Sequence, residues 1–426
     1  MTDVEIRPLG PDDDMDAQLD LGQRAFGPYS PAQRVSWTRV AGVRVRQGMF
    51  LGAFDAGRPV GAAIVHDMRQ WWHGRAVPCV GVASVKVAPE HRGMGIGRRL
   101  MTAVLDLIAE RGYPVSALYP ATMPLYRSLG WELAGGKYTA VVPARSLHSL
   151  LAPDAAAAAA PGALGQHAQA AQVRRAGPGD AAAMNEVIAR AHESARDSGP
   201  LTWDLEPAAR WLSREDMYAY LTGDGFAAYR WRNGNDELFV ERVHGASAEA
   251  VRALWSVIAS HSSIAHSVRV LTGPADPFWW LTRERDATIT RRSMWMLRVV
   301  DAPAAIEERA FPVGVSLIVP LIINDHARPA NSGGWELTVG DGKGILIPNG
   351  PGILGSTQSH AYATGPPPSG GSRVPLTLGA RGLAALYAGT PVASLRLAGL
   401  ASGGSPDADS ALDGAFAATP YMLDDF

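Results

Sequence analysis

Between Val80 and Ala109 the chain reads VGVASVKVAPEHRGMGIGRRLMTAVLDLIA, and this stretch restricts the possible folds more than any other. It opens as a strand in which Val80 and Val82 share one alternation phase, and Val85 and Val87 the other. Side chains alternate between faces along a strand, so a phase change in mid-strand predicts a β-bulge. A bulge would splay the strand from its neighbour and free backbone groups for an extended ligand that carries amides. Pro89 ends the strand, Arg92-Gly93-Met94-Gly95-Ile96-Gly97 follows, and a helix begins. Ile96, Leu100, Ala103, Val104, Leu107 and Ile108 fall on one face of it, with Arg98, Arg99, Asp106 and Glu110 opposite. Glycines ahead of a helix let N–H groups converge on a phosphate with no Cβ in the way. The helix dipole and Arg92, Arg98 and Arg99 add attraction for a pyrophosphate. A bare GxGxG is a weak signal, and a tight turn with packing glycines is the alternative; the full order of strand, proline, Arg-Gly-x-Gly-Ile-Gly and amphipathic helix is more specific. A dinucleotide-binding fold needs GxGxxG and an acidic residue about 20 positions on, and neither is convincing here.

The rest of the chain supplies a frame. Its 426 residues suggest two to four domains, and 47% hydrophobic with 19% charged residues suits globular cores. A net charge of −2 gives no whole-molecule attraction to nucleic acid or to an anionic membrane, so neither is expected as a partner. Cys79, the single cysteine, precludes an internal disulfide and argues against a cysteine metal site; no metal is expected. The N-terminus lacks a signal-peptide layout and no apolar run nears a membrane span, so a cytoplasmic protein is expected.

Asp154 to Ala171, DAAAAAAPGALGQHAQAA, is low in complexity and reads as a linker (151–171) between domains at 1–150 and 172–305. Across it a repeat is visible. Ile6-Arg7-Pro8-Leu9-Gly10-Pro11-Asp12 resembles Val173-Arg174-Arg175-Ala176-Gly177-Pro178-Gly179-Asp180, with an aspartate where a helix cap belongs, and FLGAFD (Phe50 to Asp55) resembles GFAAYR (Gly225 to Arg230). Two domains of one fold are therefore expected. The second lacks the glycine run, reading Phe239-Val240-Glu241-Arg242-Val243-His244-Gly245-Ala246-Ser247 at the matching place, and so is expected to bind no cofactor. From 306 to 426 a smaller α+β domain is expected, with strands at Val313 to Ile323, Trp335 to Val339 and Gly344 to Ile347 and a helix at Arg381 to Ala388.

Arg92, Gly95 and Gly97 match the Arg/Gln-x-x-Gly-x-Gly/Ala signature, and here the chain resembles the GNAT acyltransferase superfamily. Two GNAT-like domains followed by a small domain resembling sterol carrier proteins, with the tail YMLDDF (Tyr421 to Phe426), look like the Eis family of bacterial N-acetyltransferases. The fold class implied is α/β and α+β. The resemblance implies acetyl-CoA as acetyl donor, its pantetheine amides on the bulged strand. Contacts carry over to Val85, Lys86 and Val87, to Arg92, Gly93, Met94, Gly95, Ile96, Gly97 and Arg98, and to the turn at Ala121 and Thr122. It also implies direct transfer to an amine of a cationic, aminoglycoside-like small molecule, Tyr126 as general acid, the Phe426 terminal carboxylate as general base, and a homohexamer.

The chemistry is coherent without the resemblance. A primary amine is mostly protonated at neutral pH, so a carboxylate must attract it and take its proton. A backbone N–H near Val85 suits a developing oxyanion, and a phenol suits the leaving thiolate. Phe26 and Trp37 are candidates for an acceptor pocket, with ordinary core packing as the alternative, and Asp425 for steering a cation, with plain solvation as the alternative. Tyr113, Tyr119 and Tyr138 are nearby decoys for Tyr126; Cys79 reads as a buried structural cysteine and His91 as loop surface. Rival readings are an acyltransferase for peptide or protein amines, an N-myristoyltransferase-like enzyme, and a lipid carrier.

Overall fold

The computed structural model describes residues 4–151, 172–282, 285–349 and 374–426. The expected linker falls outside the described residues, apart from its first position, Leu151.

The first half follows one chain path. β1 (Glu5–Pro8) leads to α1 (Met15–Phe26) and α2 (Pro31–Arg46), then to the antiparallel strands β2 (Phe50–Asp55), β3 (Arg58–Trp72) and β4 (Arg75–Val87). α3 (Ile96–Glu110), β5 (Val115–Leu118), α4 (Met123–Arg127) and β6 (Glu132–Pro143) complete it. Local chemistry explains the helix starts. The Asp14 side chain accepts from the backbone N–H groups of Asp16 and Ala17, and Ser30 with Gln33 closes a reciprocal capping box. In α3 the buried stripe is Ile96, Leu100, Met101, Val104, Leu105 and Ile108. Ala103 and Leu107 are only half-buried, so the face is rotated slightly from the expected one.

The second half repeats the order: β7 (Arg174–Ala176), α5 (Ala181–Ala195), β8 (Leu201–Thr202), α6 (Leu205–Leu212), β9 (Tyr218–Leu221), β10 (Gly225–Arg232), β11 (Glu237–Gly245), α7 (Ala248–Ala259), β12 (Ser267–Thr272) and β13 (Thr288–Val299). The repeat is sharper than the sequence suggested. Arg7 pairs with Asp13, whose carboxylate accepts from the Gly10 N–H at 2.7 Å; Arg174 pairs with Asp180, whose carboxylate accepts from the Gly177 N–H at 2.9 Å. The repeated aspartate is therefore Asp13 rather than Asp12, and it closes a turn rather than capping a helix. Pairing order also reassigns the strands. β2 lies between β1 and β3 as β9 lies between β7 and β10, so the counterpart of Phe50–Asp55 is Tyr218–Leu221, not the strand starting at Gly225.

All thirteen strands form one sheet, in the order β1-β2-β3-β4-β5-β13-β6-β12-β11-β10-β9-β7, with β8 on β3. The halves exchange their last strands. β13, from the second half, inserts between β5 and β6, while β6, from the first, pairs with β12. The boundaries read from the sequence divide the chain path, but across them the two sheets share backbone hydrogen bonds.

The remaining segment adds β14 (Leu317–Asn324), β15 (Gly333–Gly340), β16 (Lys343–Pro348), β17 (Leu376–Gly379) and β18 (Ala401–Gly403), a five-stranded sheet in the order β16-β15-β14-β17-β18. The helix expected at Arg381 to Ala388 is Ala380–Tyr387. This smaller unit shares one core with the large sheet: Tyr387, Phe311 and Phe416 pack into the cluster that holds Trp72, Cys79, Ala117 and Leu297. The opposite face of the sheet, with Val80, Val82 and Leu118, packs on α3. Among the described residues no helix is long and apolar enough to cross a membrane.

Candidate active site

The bulge stands in β4. Ala83 pairs with Ile64 and Lys86 with Ala62, so Ser84 and Val85 together oppose Ala63, and Ser84 has φ +52°. A non-glycine residue in this left-handed region is uncommon, and the bulge over-determines it. The valine phases follow from it: Val80, Val82 and Val85 all reach the α3-side core. β4 pairs with β5 only from Cys79 to Gly81, so from Val82 to Val87 its ladder partner is β3 alone and a gap opens between β4 and β5.

Beyond the gap lies the glycine loop. Gly93 and Gly95 have φ +81° and +77°, and a Cβ on either would meet nothing within 4 Å. Those two glycines are needed for their backbone shape. Gly97 is different, with no positive φ and only ordinary contacts awaiting a Cβ, 3.7 Å from Leu125 and from Val87. Protein packing does not require a glycine there, whereas close approach of a ligand does. Gly95 caps α3 without a side-chain hydrogen bond, so the first N–H groups of the helix keep their donor capacity. Met94 is exposed and Ile96 buried. Arg92 and Arg98 are exposed and have no carboxylate partner among the described residues, whereas Arg99 donates to the Val4 carbonyl at 2.6 Å and is structural. Lys86 turns away: its ammonium donates to the Gln18 carbonyl at 3.0 Å, and burial pulls its pKa down to about 8. Only the Lys86 backbone faces the gap's strand edge.

α4 stands across the gap. Ala121 and Thr122 are exposed, Thr122 at the N-cap of α4. Tyr126 is buried in the α3-side cluster, edge-on to Trp131. Its hydroxyl makes no hydrogen bond among the described residues, and burial raises its pKa, so it stays a protonated donor.

The chain's last residues enter from the opposite face. Phe426 packs with the cluster of Cys79 and Ala117, its ring 5.9 Å from that of Tyr119 and 6.3 Å from that of His66. His66 is uncharged at neutral pH, because burial first, and the nearby Arg44 charge second, bring its pKa down to about 4. Tyr126 and the Phe426 ring thus pack on opposite faces of the sheet at β4 and β5. Four glycines clear the path of the tail. A Cβ on Gly81 would lie 2.6 Å from the Phe426 ring, one on Gly273 2.7 Å from the Tyr421 ring, and those on Gly135 and Gly199 2.3 Å from the Pro420 and Tyr421 carbonyl oxygens. The Tyr119 hydroxyl lies 3.0 Å from the Met422 and Asp424 carbonyls. Tyr421 donates to Asp197 at 2.9 Å, and its N–H to the Ser198 carbonyl at 3.0 Å. Asp424 is buried between the Trp203 indole N–H and Arg242, and Asp425 pairs with Lys137 at 2.5 Å.

Sequence reading missed this track. Tyr119, taken there for a decoy, holds the tail; the available signal was glycine in strand interiors, at Gly81 and Gly135, which marks close approach of another backbone or side chain. Phe26 fits neither a pocket wall nor ordinary core, and Trp37 is a half-buried packing residue. Phe26 is exposed at the end of α1, Trp37 packs edge-on to Phe50, and neither borders the cavity lined by Lys137, Arg232 and Arg291, whereas Asp425 does. Cys79 is fully buried and its thiol pKa pushed far up, which removes it as a nucleophile. Among the described residues no group of three or more histidine, cysteine or acidic side chains is placed to hold a metal.

The second half has a different strand-to-helix connection. β11 runs through Gly245 almost directly into α7, where the Ser247 side chain accepts from the Ala250 N–H. The tail borders this connection: Ala418, Thr419 and Tyr421 line a cavity with Val243, His244 and Gly245 at the end of β11 and Trp255 of α7.

A bulged strand splayed from its parallel neighbour, followed by a glycine loop and helix, is the arrangement of a GNAT acetyltransferase domain. Residues 5–134 match the Acetyltransferase (GNAT) domain family, and residues 195–299 match a second family of that description. A GCN5-related N-acetyltransferase from Kribbella flavida is 40% identical, covering 100% of this chain and 99% of its own, with TM-score 0.86. The chain belongs to the GCN5-related N-acetyltransferase family and is an N-acetyltransferase. It is also similar to the N-acetyltransferase Eis of Mycobacterium tuberculosis, 26% identical over 79% of this chain and 83% of the relative. A GCN5-related N-acetyltransferase from Anabaena variabilis is 25% identical over 99% of this chain and 100% of its own, TM-score 0.80.

Proposed function

We propose that the enzyme transfers the acetyl group of acetyl-CoA directly to a primary amine of a small molecule, with Tyr126 as general acid and the Phe426 terminal carboxylate as general base. The observation that supports this reading is that the Tyr126 side chain and the Phe426 ring pack in clusters on opposite faces of the sheet that holds β4 and β5, the terminus lying where four glycines make room for it.

The splayed edge from Val85 to Val87 offers backbone partners for the pantetheine amides, and the α3 N-terminus with Arg92 and Arg98 offers donors and charge for the pyrophosphate. Ala121 and Thr122 border the gap on the α4 side. The terminal carboxylate attracts the ammonium form of the acceptor, accepts its proton and leaves a lone pair for attack on the thioester carbonyl. A backbone N–H at the bulge stabilises the oxyanion, and the unpartnered Tyr126 hydroxyl, protonated throughout the neutral range, gives its proton to the departing thiolate. Neither Cys79 nor a metal is needed. The resemblance implies a cationic acceptor, and the reacting amine is one; the cavity wall described below restricts the rest of the molecule. A lipid-carrier reading draws support only from the small C-terminal unit, whose inner face is filled by its own Leu321, Leu337, Leu378 and Tyr387.

The test is free-thiol release from acetyl-CoA across a panel of amines. Tyr126→Phe is expected to lose about 10²–10⁴ in kcat while retaining acetyl-CoA affinity, and a chain extended past Phe426 to lose a similar factor. Parent turnover in the extended form would remove the terminal carboxylate from the mechanism, and parent turnover in Tyr126→Phe would remove the tyrosine.

A further inference from the structure

Beside the docked tail lies a cavity of about 810 Å³. Its wall is built from both halves: Tyr119, Lys137 and Thr139 come from the first, and residues of β10, β11, β12 and β13 from the second. Leu423, Asp424 and Asp425 form part of it, so its wall runs up to the residue that precedes the proposed base. Its size suits a small-molecule acceptor.

The wall is strongly basic. Seven cationic side chains border the cavity against three carboxylates, in a protein whose overall charge is −2. The surplus is not a set of closed ion pairs. Lys137 and Arg242 are held by Asp425 and Asp424 of the tail, and Arg269 by Glu237. Arg214 and Arg230 share Asp216 and Glu241. Arg232 and Arg291 have no carboxylate partner among the described residues; Arg232 lies 4.3 Å over the Phe239 ring and Arg291 is exposed on β13. Two forked donors facing one cavity are suited to an oxyacid group. The same wall repels a polycation, so an aminoglycoside-like acceptor fits this cavity poorly.

We propose that the acceptor is an amphoteric small molecule: a primary amine, acetylated beside the Phe426 carboxylate, joined to an anionic carboxylate or phosphate-type group that Arg232 and Arg291 bind across the interdomain cavity. This rests on the acetyltransferase reading and adds the substrate class. The second half of the chain, which has no cofactor cradle, then serves to recognise the acceptor.

Calorimetry on the full-length protein saturated with CoA, which blocks the glycine loop, tests the proposal with three probes of one chain length: an ω-aminoalkyl phosphonate, the matching ω-amino carboxylate and the matching diamine. At least one acidic probe is expected to bind about 10-fold or more tightly than the diamine, since only the acids make charge-assisted contacts with the two guanidinium groups. The Arg232→Gln/Arg291→Gln double variant is expected to lose that margin while still binding CoA. A diamine bound as well as both acids, no measurable binding of any probe, or a preference that survives in the double variant would overturn it. Failure of CoA to bind in the first titration would instead strike the donor site.

Discussion

Replacing Gly81 with valine puts the role of the chain terminus to a quantitative test. Gly81 lies in β4, paired with His66 of β3 and with Ala117 of β5. Its missing side chain leaves room for the Phe426 ring: a Cβ would sit 2.6 Å and 2.7 Å from two ring carbons and 2.9 Å from Met68 Cε. Strand β4 is fixed by ladders on both edges, and valine favours strand conformation, so the terminus yields rather than the sheet. Full burial of a phenylalanine is worth about 1.5–3 kcal/mol; half-burial of Phe426 therefore holds the last residue with about 0.8–1.5 kcal/mol. Losing that contact shifts the docking equilibrium about four- to tenfold, and the overlap adds to it. The expected result is a folded protein with unchanged acetyl-CoA affinity, because Val85–Val87 and the glycine loop lie beyond the bulge, and with kcat lowered by up to the about 10²–10⁴ that a general base contributes. Steady-state thiol release with a saturating amine reads kcat, and acetyl-CoA titration reads binding. In Gly81→Ala/Phe426→Ala the overlap is gone and the terminal carboxylate is intact, so activity returns in part relative to Gly81→Ala. Parent kcat in a folded Gly81→Val protein would refute the reasoning, since the terminus cannot both matter and be displaced without effect.

Two other outcomes follow from buried charge. Arg298 and Asp325 are fully buried and joined at 2.6 Å between β13 and the segment after β14, so Asp325→Ala strands a guanidinium and is expected to cost about 3–5 kcal/mol, read as a lowered melting temperature that Arg298→Met in the same chain largely restores. Lys86 has its pKa lowered from 10.5 to about 8 by burial. The unfolded chain therefore binds more protons between those values, and stability must rise with pH across that window, by up to about 3 kcal/mol. Measured against Lys86→Met, which lacks this term, denaturant stability of the parent should gain between about pH 8 and 10.5; parallel curves would show that Lys86 is not the group responsible.

Much of the fold was legible because it is governed by local periodicity. The phase change from Val80/Val82 to Val85/Val87 located the bulge, and the glycines after Pro89 located the helix start; both depend on backbone rules that act within a few residues. The absence of a glycine loop between β11 and α7 was equally local. What sequence could not give is whatever depends on contact between distant segments. Nothing in Met294–Val300 shows that its strand crosses into the first half's sheet, because an exchanged strand has the same alternation as one that stays at home. The three-residue turn that fixed Asp13, rather than its neighbour Asp12, is set by a hydrogen bond that spacing alone does not single out.

The sequence by itself determined the proposed donor half of this enzyme: a kinked strand, a glycine-rich turn and a helix start, all within one short stretch where chain connectivity places the groups. Only the tertiary structure decided the proposed acceptor half. The arginines of β10, β11, β12 and β13 and the final residues of the chain lie far apart in sequence, and only pairing across the exchanged sheet gathers them around one cavity. Charges summed along the chain nearly cancel, whereas charges summed over that wall do not, since electrostatic interaction depends on distance through space rather than along the backbone.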